Sequence, residues 1–211
     1  MSRALIFLDT ETTGLDPKTC SIFQLSGIIK KDGQEETFDF RLRPYHDEKI
    51  AEQAYFKTGI TDIELSTYPD QKEAYDAFMN LLEKYNIGTS FSEKAFIVGY
   101  NSTDFDMPFI RAWFEYNDNN RFGYYFWYPS LDVMHLAALY LVGERTNLKN
   151  FQLTTVYKYI FKEDFEDAHN SLADVMATKK LFGFLSNKML TPLLQEKTTP
   201  KIQVRQIKPK E

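Results

Sequence analysis

Ala4-Leu5-Ile6-Phe7-Leu8 is a short unbroken apolar run, which predicts a strand buried on both faces. Residues 21–30 and 36–42 read as the next two strands, joined by the turn Lys31-Asp32-Gly33. Polar, helix-like text follows, broken by the turn Thr58-Gly59-Ile60-Thr61-Asp62. Within residues 69–85, Ala74, Phe78, Leu81, Leu82 and Tyr85 recur at helical spacing. Residues 95–98 form a second buried strand, ended by Gly99. Residues 108–116 read as a helix with Phe109, Ile110, Trp113 and Phe114 inward, and the aromatic stretch 121–129 as a strand or a large hairpin. Three helices are expected over 131–142, 148–161 and 170–189. Strands first, then strands and helices in turn, predict a layered α/β domain around a mixed sheet.

The chain has 211 residues, enough for one domain with an appendage. We place that domain at residues 1–190 and a basic, flexible tail at 191–211, where Lys197, Lys201, Arg205, Lys208 and Lys210 stand against Glu211. Net charge is −5, so no global basic field holds a long duplex. The single cysteine, Cys20, cannot close an internal disulfide, which fits a reducing cytoplasm. Met1-Ser2-Arg3 leads straight into the first strand with no secretory leader pattern, and no apolar run approaches the ~20 residues of a membrane span. No membrane partner is expected.

Candidate chemistry sits where the buried strands end. The first runs into Asp9-Thr10-Glu11-Thr12-Thr13-Gly14. If the strand continues, its two-residue period puts Asp9 and Glu11 on one face. Two like charges at the end of a buried strand are costly unless a cation or proton lies between them. The plainer alternative has Glu11 turned to solvent and Asp9 capping a turn. The second buried strand leads into Tyr100-Asn101-Ser102-Thr103-Asp104-Phe105-Asp106-Met107-Pro108, where Asp104 or Asp106 is either a helix N-cap or a ligand. The third site is Ala168-His169-Asn170-Ser171-Leu172-Ala173-Asp174. Its helix is apolar on most sides, through Leu172, Val175, Met176, Phe182, Phe184 and Leu185, so it should be largely buried with Asp174 in its first turns. Taken alone, His169 reads equally as an ordinary histidine and Asp174 as compensation of the helix dipole. Together the carboxylates form an all-oxygen donor set that suits Mg²⁺ or Mn²⁺ and not Zn²⁺. Two such ions about 3.5–4 Å apart suit in-line phosphodiester displacement, with a neutral His to take the proton of water.

Asp9-Thr10-Glu11-Thr12-Thr13-Gly14, then Asn101 with Phe105-Asp106, then His169 with Asp174, resemble the three motifs of the DEDDh 3′–5′ exonucleases. That family includes the proofreading epsilon subunit of bacterial DNA polymerase III, RNase T, oligoribonuclease and exonuclease I. The resemblance covers residues 3–187. It implies an RNase H-like three-layer α/β fold, with a central mixed five-stranded sheet flanked by helices. It implies that Asp9, Glu11 and Asp174 bind one metal ion, that Asp9 bridges to a second supported by Asp106, and that His169 is the general base. Thr10, Thr12, Thr13, Gly14 and Leu15 would hold the terminal nucleotide, with Asn101 and Phe105 beside it. Asp132, in Leu131-Asp132-Val133, falls on a short acidic segment of the family and reads mainly as a helix cap near the site. One departure stands out. Asn101 and Asp106 have four residues between them, similar to the exonuclease I and family B polymerase branches, where the commonest form of the motif has three. Asp104 is therefore a rival, and the order Phe-Asp-x-x-apolar favours Asp106.

The expected activity is metal-dependent hydrolysis of single-stranded 3′ ends, DNA first, by two Mg²⁺ or Mn²⁺ ions, in replication proofreading or repair. RNA trimming is the alternative on the same fold. A non-catalytic module that binds nucleic acid or a polymerase is the third reading, and its signature, loss of an acid or the histidine, is absent. Expected partners are single-stranded DNA or RNA 3′ ends, and a DNA polymerase or a second copy of the chain. The aromatic stretch Phe122 to Tyr128 packs in a core or stacks bases, and the tail contacts nucleic acid or a polymerase or is simply solvated.

Overall fold

In a computed structural model of the chain, residues 4–46, 50–164 and 170–195 are described. Strand β1 (Ala4–Thr12) lies at the centre of a five-stranded sheet with β2 (Ile22–Lys31), β3 (Gln34–Arg41), β4 (Ala95–Gly99) and β5 (Leu131–Asp132). The order is β3-β2-β1-β4-β5. β1, β2 and β3 pair antiparallel, and β4 and β5 run parallel to β1, so the sheet is mixed as expected. The first hairpin turns through Asp32 and Gly33, both at positive φ (55° and 80°), with Lys31 opposite Gln34. This is the left-handed pair that a two-residue hairpin loop requires.

The helices are α1 (Glu52–Thr58), α2 (Asp62–Ser66), α3 (Gln71–Lys84), α4 (Asp106–Tyr116), α5 (Phe122–Tyr125), α6 (Val133–Tyr140), α7 (Leu153–Phe161) and α8 (Ser171–Gln195). Alternation along β1 divides the core into two. Ala4, Ile6 and Leu8 pack with Phe78 and Leu82 of α3 and Phe109, Ile110 and Trp113 of α4. Phe7 points the other way, among Val133 and Ala137 of α6, Val156 of α7, and Val175 and Leu181 of α8. Helix layers on both faces of the sheet give the three-layer arrangement. About 25 cal/mol per Å² of buried apolar surface holds these layers together.

Three expectations are corrected. Residues 121–129 do not form a strand or hairpin. Phe122 and Phe126 are four residues apart on and just past the single turn of α5, and both pack on Phe114, with ring centroids 5.3 and 5.9 Å away. The stretch meets the sheet only as an isolated bridge of Phe126 to Ala95, whose carbonyl oxygen accepts the Trp127 N–H at 2.9 Å. The helix expected over 131–142 starts two residues late because Leu131 and Asp132 pair with Val98 and Gly99 as β5. α8 is not largely buried: Met176 is 55% exposed and Leu172, Phe182 and Phe184 are half-buried beside the buried Val175, Leu181 and Leu185, since the helix offers only one face to the sheet. Of the tail placed at 191–211, residues 191–195 continue α8, and the rest, from residue 196, lies outside the described residues.

Candidate active site at the end of the central strand

β1 outlasts its parallel partner. Pairing with β4 ends at Phe7 and Val98, while pairing with β2 continues through Asp9–Ser26 and Glu11–Gln24. The strand therefore carries Asp9 and Glu11 on one face, at the C-terminal edge of a sheet where β1, β4 and β5 all point the same way. In open α/β sheets this edge is where sites gather. Asp9 is half-buried and Glu11 is buried, so the reading in which Glu11 swings to solvent does not hold.

The gap left beyond β4 is filled by Asp106 at the start of α4. Its Oδ1 accepts the Thr10 backbone N–H at 2.8 Å and the Thr10 hydroxyl at 2.7 Å. Asp106 is buried and Asp104 exposed. Neither caps the helix, whose N-cap position is held by Phe105 without a side-chain hydrogen bond. The carboxylate of Asp106 thus reaches sideways to the neighbouring strand instead of back to its own helix.

The long helix α8 brings the fourth acid. Asn170 Oδ1 accepts the Leu172 N–H at 3.1 Å, which caps the helix. Ser171 Oγ donates to the carbonyl oxygen of Asp9 at 3.2 Å and fixes the start of α8 against β1. Asp174 follows in the first turn, its N–H donating to Asn170 O at 3.0 Å. A negative charge is favourable at that end of a helix.

Asp132 proves to be a hub. Its Oδ1 accepts from Met134 N at 2.9 Å, the helix-cap bond expected for it, and from Asn101 N at 3.0 Å, while Oδ2 accepts from Thr103 N at 3.0 Å. One buried carboxylate thereby ties the loop after β4, where Asn101 takes a left-handed φ of 61°, to the start of α6. Next to it, Tyr100 donates its hydroxyl to Phe151 O at 2.7 Å. Burial, reinforced by the charge of Asp132, pushes the Tyr100 phenol well above its ordinary range, so it stays a donor.

Two hollows flank the acids. One, of about 210 Å³, is lined by Glu11, Thr12, Gly14, Leu15, Phe105, and Ala51 and Ala54 around the start of α1. The other, of about 380 Å³, is lined by Tyr100, Asn101, Met134, Phe151, Gln152, Leu153, Thr154 and Asp174. Of the expected nucleotide contacts, Thr12, Gly14, Leu15 and Phe105 line the first hollow and Asn101 the second. Thr10 and Thr13 are engaged internally: Thr10 holds Asp106, and the Thr13 hydroxyl accepts the Ser21 N–H at 2.8 Å. Ala51 and Ala54, and the wall from Phe151 to Thr154, were not legible as site residues. Small alanines and a polar helix start carry no chemical signal, and only the fold brings them here. His169 lies outside the described residues.

Among the described residues, no three acidic, histidine or cysteine side chains stand together in metal-holding geometry. The carboxylates share one strand end through Asp9 and Glu11, through Ser171 beside Asp9, and through Asp106 on Thr10. Their donor chemistry, oxygen only, fits a hard divalent cation. No helix of the described residues is long and apolar enough to cross a membrane.

A mixed sheet with acids at the C-terminal end of its central strand, supported from two helices, defines a nuclease-type α/β domain. The chain belongs to the RNase T exonuclease family, the DEDDh class of 3′–5′ exonucleases, whose family model matches residues 6–182. Ribonuclease T of Haemophilus influenzae (strain 86-028NP) is 26% identical over 213 residues, covering 93% of this chain and 89% of that protein. A PolC-type DNA polymerase III of Thermotoga petrophila is also 26% identical, over 86% of this chain but 12% of its own length. E. coli exonuclease I in complex with a 5cy-dT13 oligonucleotide has the same fold, with a TM-score of 0.69 at 21% identity, over 90% of this chain and 42% of that one. The chain thus spans about an eighth of the polymerase relatives and less than half of exonuclease I, but most of ribonuclease T.

Proposed function

We propose that the chain hydrolyses phosphodiester bonds at the 3′ end of single-stranded nucleic acid, DNA by preference, and releases nucleoside 5′-monophosphates. The observation that carries this reading is the meeting at one strand end of Asp9 and Glu11, Asp106 bonded to Thr10, and α8 bonded to Asp9 through Ser171 ahead of Asp174. An exonuclease needs a closed pocket for the departing nucleotide on one side of the scissile phosphate and an open path for the strand on the other. The small hollow at Glu11 and the larger cleft at Asp174 supply that pair.

Asp9, Glu11 and Asp174 would hold one divalent ion, and Asp9 with Asp106 a second, Mg²⁺ or Mn²⁺. Bound there, such ions supply Lewis-acid stabilisation of charge on the phosphoryl group. The chain's own part is positioning. Thr12, Gly14, Leu15 and Phe105 enclose the terminal nucleotide, and Asn101 orients the strand beside Asp174. His169, with four residues between it and Asp174, takes the proton of the attacking water. RNA trimming is a second reading, favoured by ribonuclease T relatives that match over most of their length. A contact to the 2′-OH would decide between the two sugars. Replication proofreading is the pathway suggested by the PolC-type polymerases, in which the matching region is one part of a polymerase chain. The test is degradation of 5′-labelled single-stranded DNA and RNA with Mg²⁺ or Mn²⁺. Stepwise shortening from the 3′ end is expected, and internal cleavage or no cleavage of either strand overturns the reading.

A further inference from the structure

The strand-side cleft does not end at Asp174. Thr154, near the start of α7, lines both that cleft and a second groove of about 540 Å³. The second groove runs along the outer side of α7 and presents Lys149, Lys158 and Lys162, with Tyr159 beneath them. All three lysines are exposed, and Lys162 Nζ lies 4.4 Å from the centroid of the Tyr159 ring. One lining carboxylate opposes them, Asp164, paired with Lys158 at 2.8 Å. Both members of that pair are well exposed, so water screens it and a phosphate can compete for the lysine. On a chain of net charge −5, a groove lined by three lysines against Asp164, with Glu144 held beside it by the Tyr159 hydroxyl at 3.0 Å, keeps a positive balance.

The geometry points to this groove as the upstream track of the substrate, in which Lys149, Lys158 and Lys162 hold successive phosphates of a single strand whose 3′ end lies at the acids. The inference rests on the exonuclease reading above and adds to it the direction the strand takes. α7 spans nine residues, or about 13 Å of rise, so the track serves the nucleotides immediately behind the scissile bond. Contacts of this kind go to the backbone and are indifferent to base sequence. They draw affinity from counterion release, with a dependence on salt of about 0.7 per phosphate for single strands.

The test compares wild type with Lys149→Ala/Lys158→Ala/Lys162→Ala. Binding of a fluorescent deoxythymidine oligonucleotide long enough to cover the groove is measured by anisotropy in EDTA over a salt series. Loss of three phosphate contacts should lower the log–log salt slope by about 2, so that between about 50 and 200 mM salt wild type loses roughly 10–20-fold more affinity than the variant. The ratio of kcat/KM on that oligonucleotide to kcat/KM on a deoxythymidine dinucleotide, too short to reach the groove, should fall about ten-fold at low salt. Asp164→Asn should act in the opposite direction and tighten binding about two-fold. Equal salt slopes for wild type and the triple variant overturn the track, as does an unchanged length ratio. A wild type that degrades no strand at all overturns the exonuclease reading instead, so the two failures are told apart.

Discussion

Asp106 and Thr10 are bound through a single oxygen: Oδ1 of Asp106 accepts both the backbone N–H and the hydroxyl of Thr10, 96 positions earlier in the chain. β4 stops too early to pair with Thr10, and the carboxylate takes its place. This contact favours the proposed role of Asp106 over Asp104, since Asp104 is at the surface. Asp106→Asn keeps an acceptor for Thr10 but removes the charge. It should fold with near-normal thermal stability and lose at least about 10²-fold in kcat. Asp104→Asn should leave both unchanged. An inactive Asp104→Asn beside an active Asp106→Asn reverses the assignment.

Asp9→Ala and Asp174→Asn should abolish hydrolysis while circular dichroism and melting behaviour stay close to wild type. EDTA should stop wild-type activity, and Mg²⁺ or Mn²⁺ should restore it. His169→Ala belongs to a different class. It should slow turnover by about 10²–10⁴-fold with metal affinity preserved. Isothermal titration of Mn²⁺ separates the two, because a loss of metal binding in His169→Ala equal to that of Asp174→Asn would make the histidine a ligand.

Asp132 holds three backbone N–H groups, those of Asn101, Thr103 and Met134. Hydrogen bonds to a charged group contribute about 1.5–3 kcal/mol, and buried donors left unmade add to the loss. Asp132→Ala should therefore cost about 3 kcal/mol in urea unfolding. Activity should fall as well, because the loop at Asn101 loses its anchor. Asp132→Asn retains Oδ1 but offers an amide to Thr103 in place of Oδ2, and should lie between the two. A variant as stable as wild type would remove Asp132 from this role.

Much of this arrangement was legible in the chain, and what was not has physical causes. Residues 4–8 and 95–98 are unbroken apolar runs because both faces of β1 and β4 are covered. Asp32-Gly33 announces its turn. The acids are visible because charge at the end of a buried strand is costly and therefore meaningful. β5 is invisible, since two residues carry no period. The aromatic run at 121–129 misleads for a related reason: rings at spacing four serve a helical turn as well as rings at spacing two serve a strand. Asp132 was legible as a cap, but its bonds to Asn101 and Thr103 join segments about thirty positions apart, which no local pattern encodes.

Tyr100 gives a prediction in pH. Its phenol is raised above the ordinary value of 10.0 by burial first and by Asp132 second, so the folded form binds its proton more tightly than the unfolded chain. For a group shifted upward, the stabilisation is fully present below the unfolded value and is lost as pH rises toward the folded one. Stability should thus be flat in this respect up to about pH 10 and fall above it. Tyr100→Phe removes the phenol and its bond to Phe151 O. It should be less stable at pH 7 by about 1 kcal/mol, and its alkaline decline should be shallower. Parallel declines in the two proteins would show that Tyr100 does not govern this limb.

Gly14 closes one end of the small hollow, and its side-chain position is already occupied by a neighbour. A Cβ placed there would lie 2.6 Å from the sulfur of Cys20, against 3.5 Å from the Cys20 Cβ and 3.6 Å from that of Ala51. Cys20 is buried, so its sulfur must turn aside within a packed wall to make room. Gly14→Ala should therefore displace the loop that carries Leu15 and Thr12, destabilise the fold by about 1–3 kcal/mol, and raise KM more than it lowers kcat. Cys20→Ala alone leaves a small void and should cost about 1 kcal/mol. The double variant removes the clash, because the remaining Cβ is at ordinary contact distance. It should be more stable than Gly14→Ala and recover most of the KM, so the two changes are non-additive in the favourable direction. Simple addition of the two losses in a double-mutant cycle would mean that the Gly14–Cys20 contact does not shape the hollow.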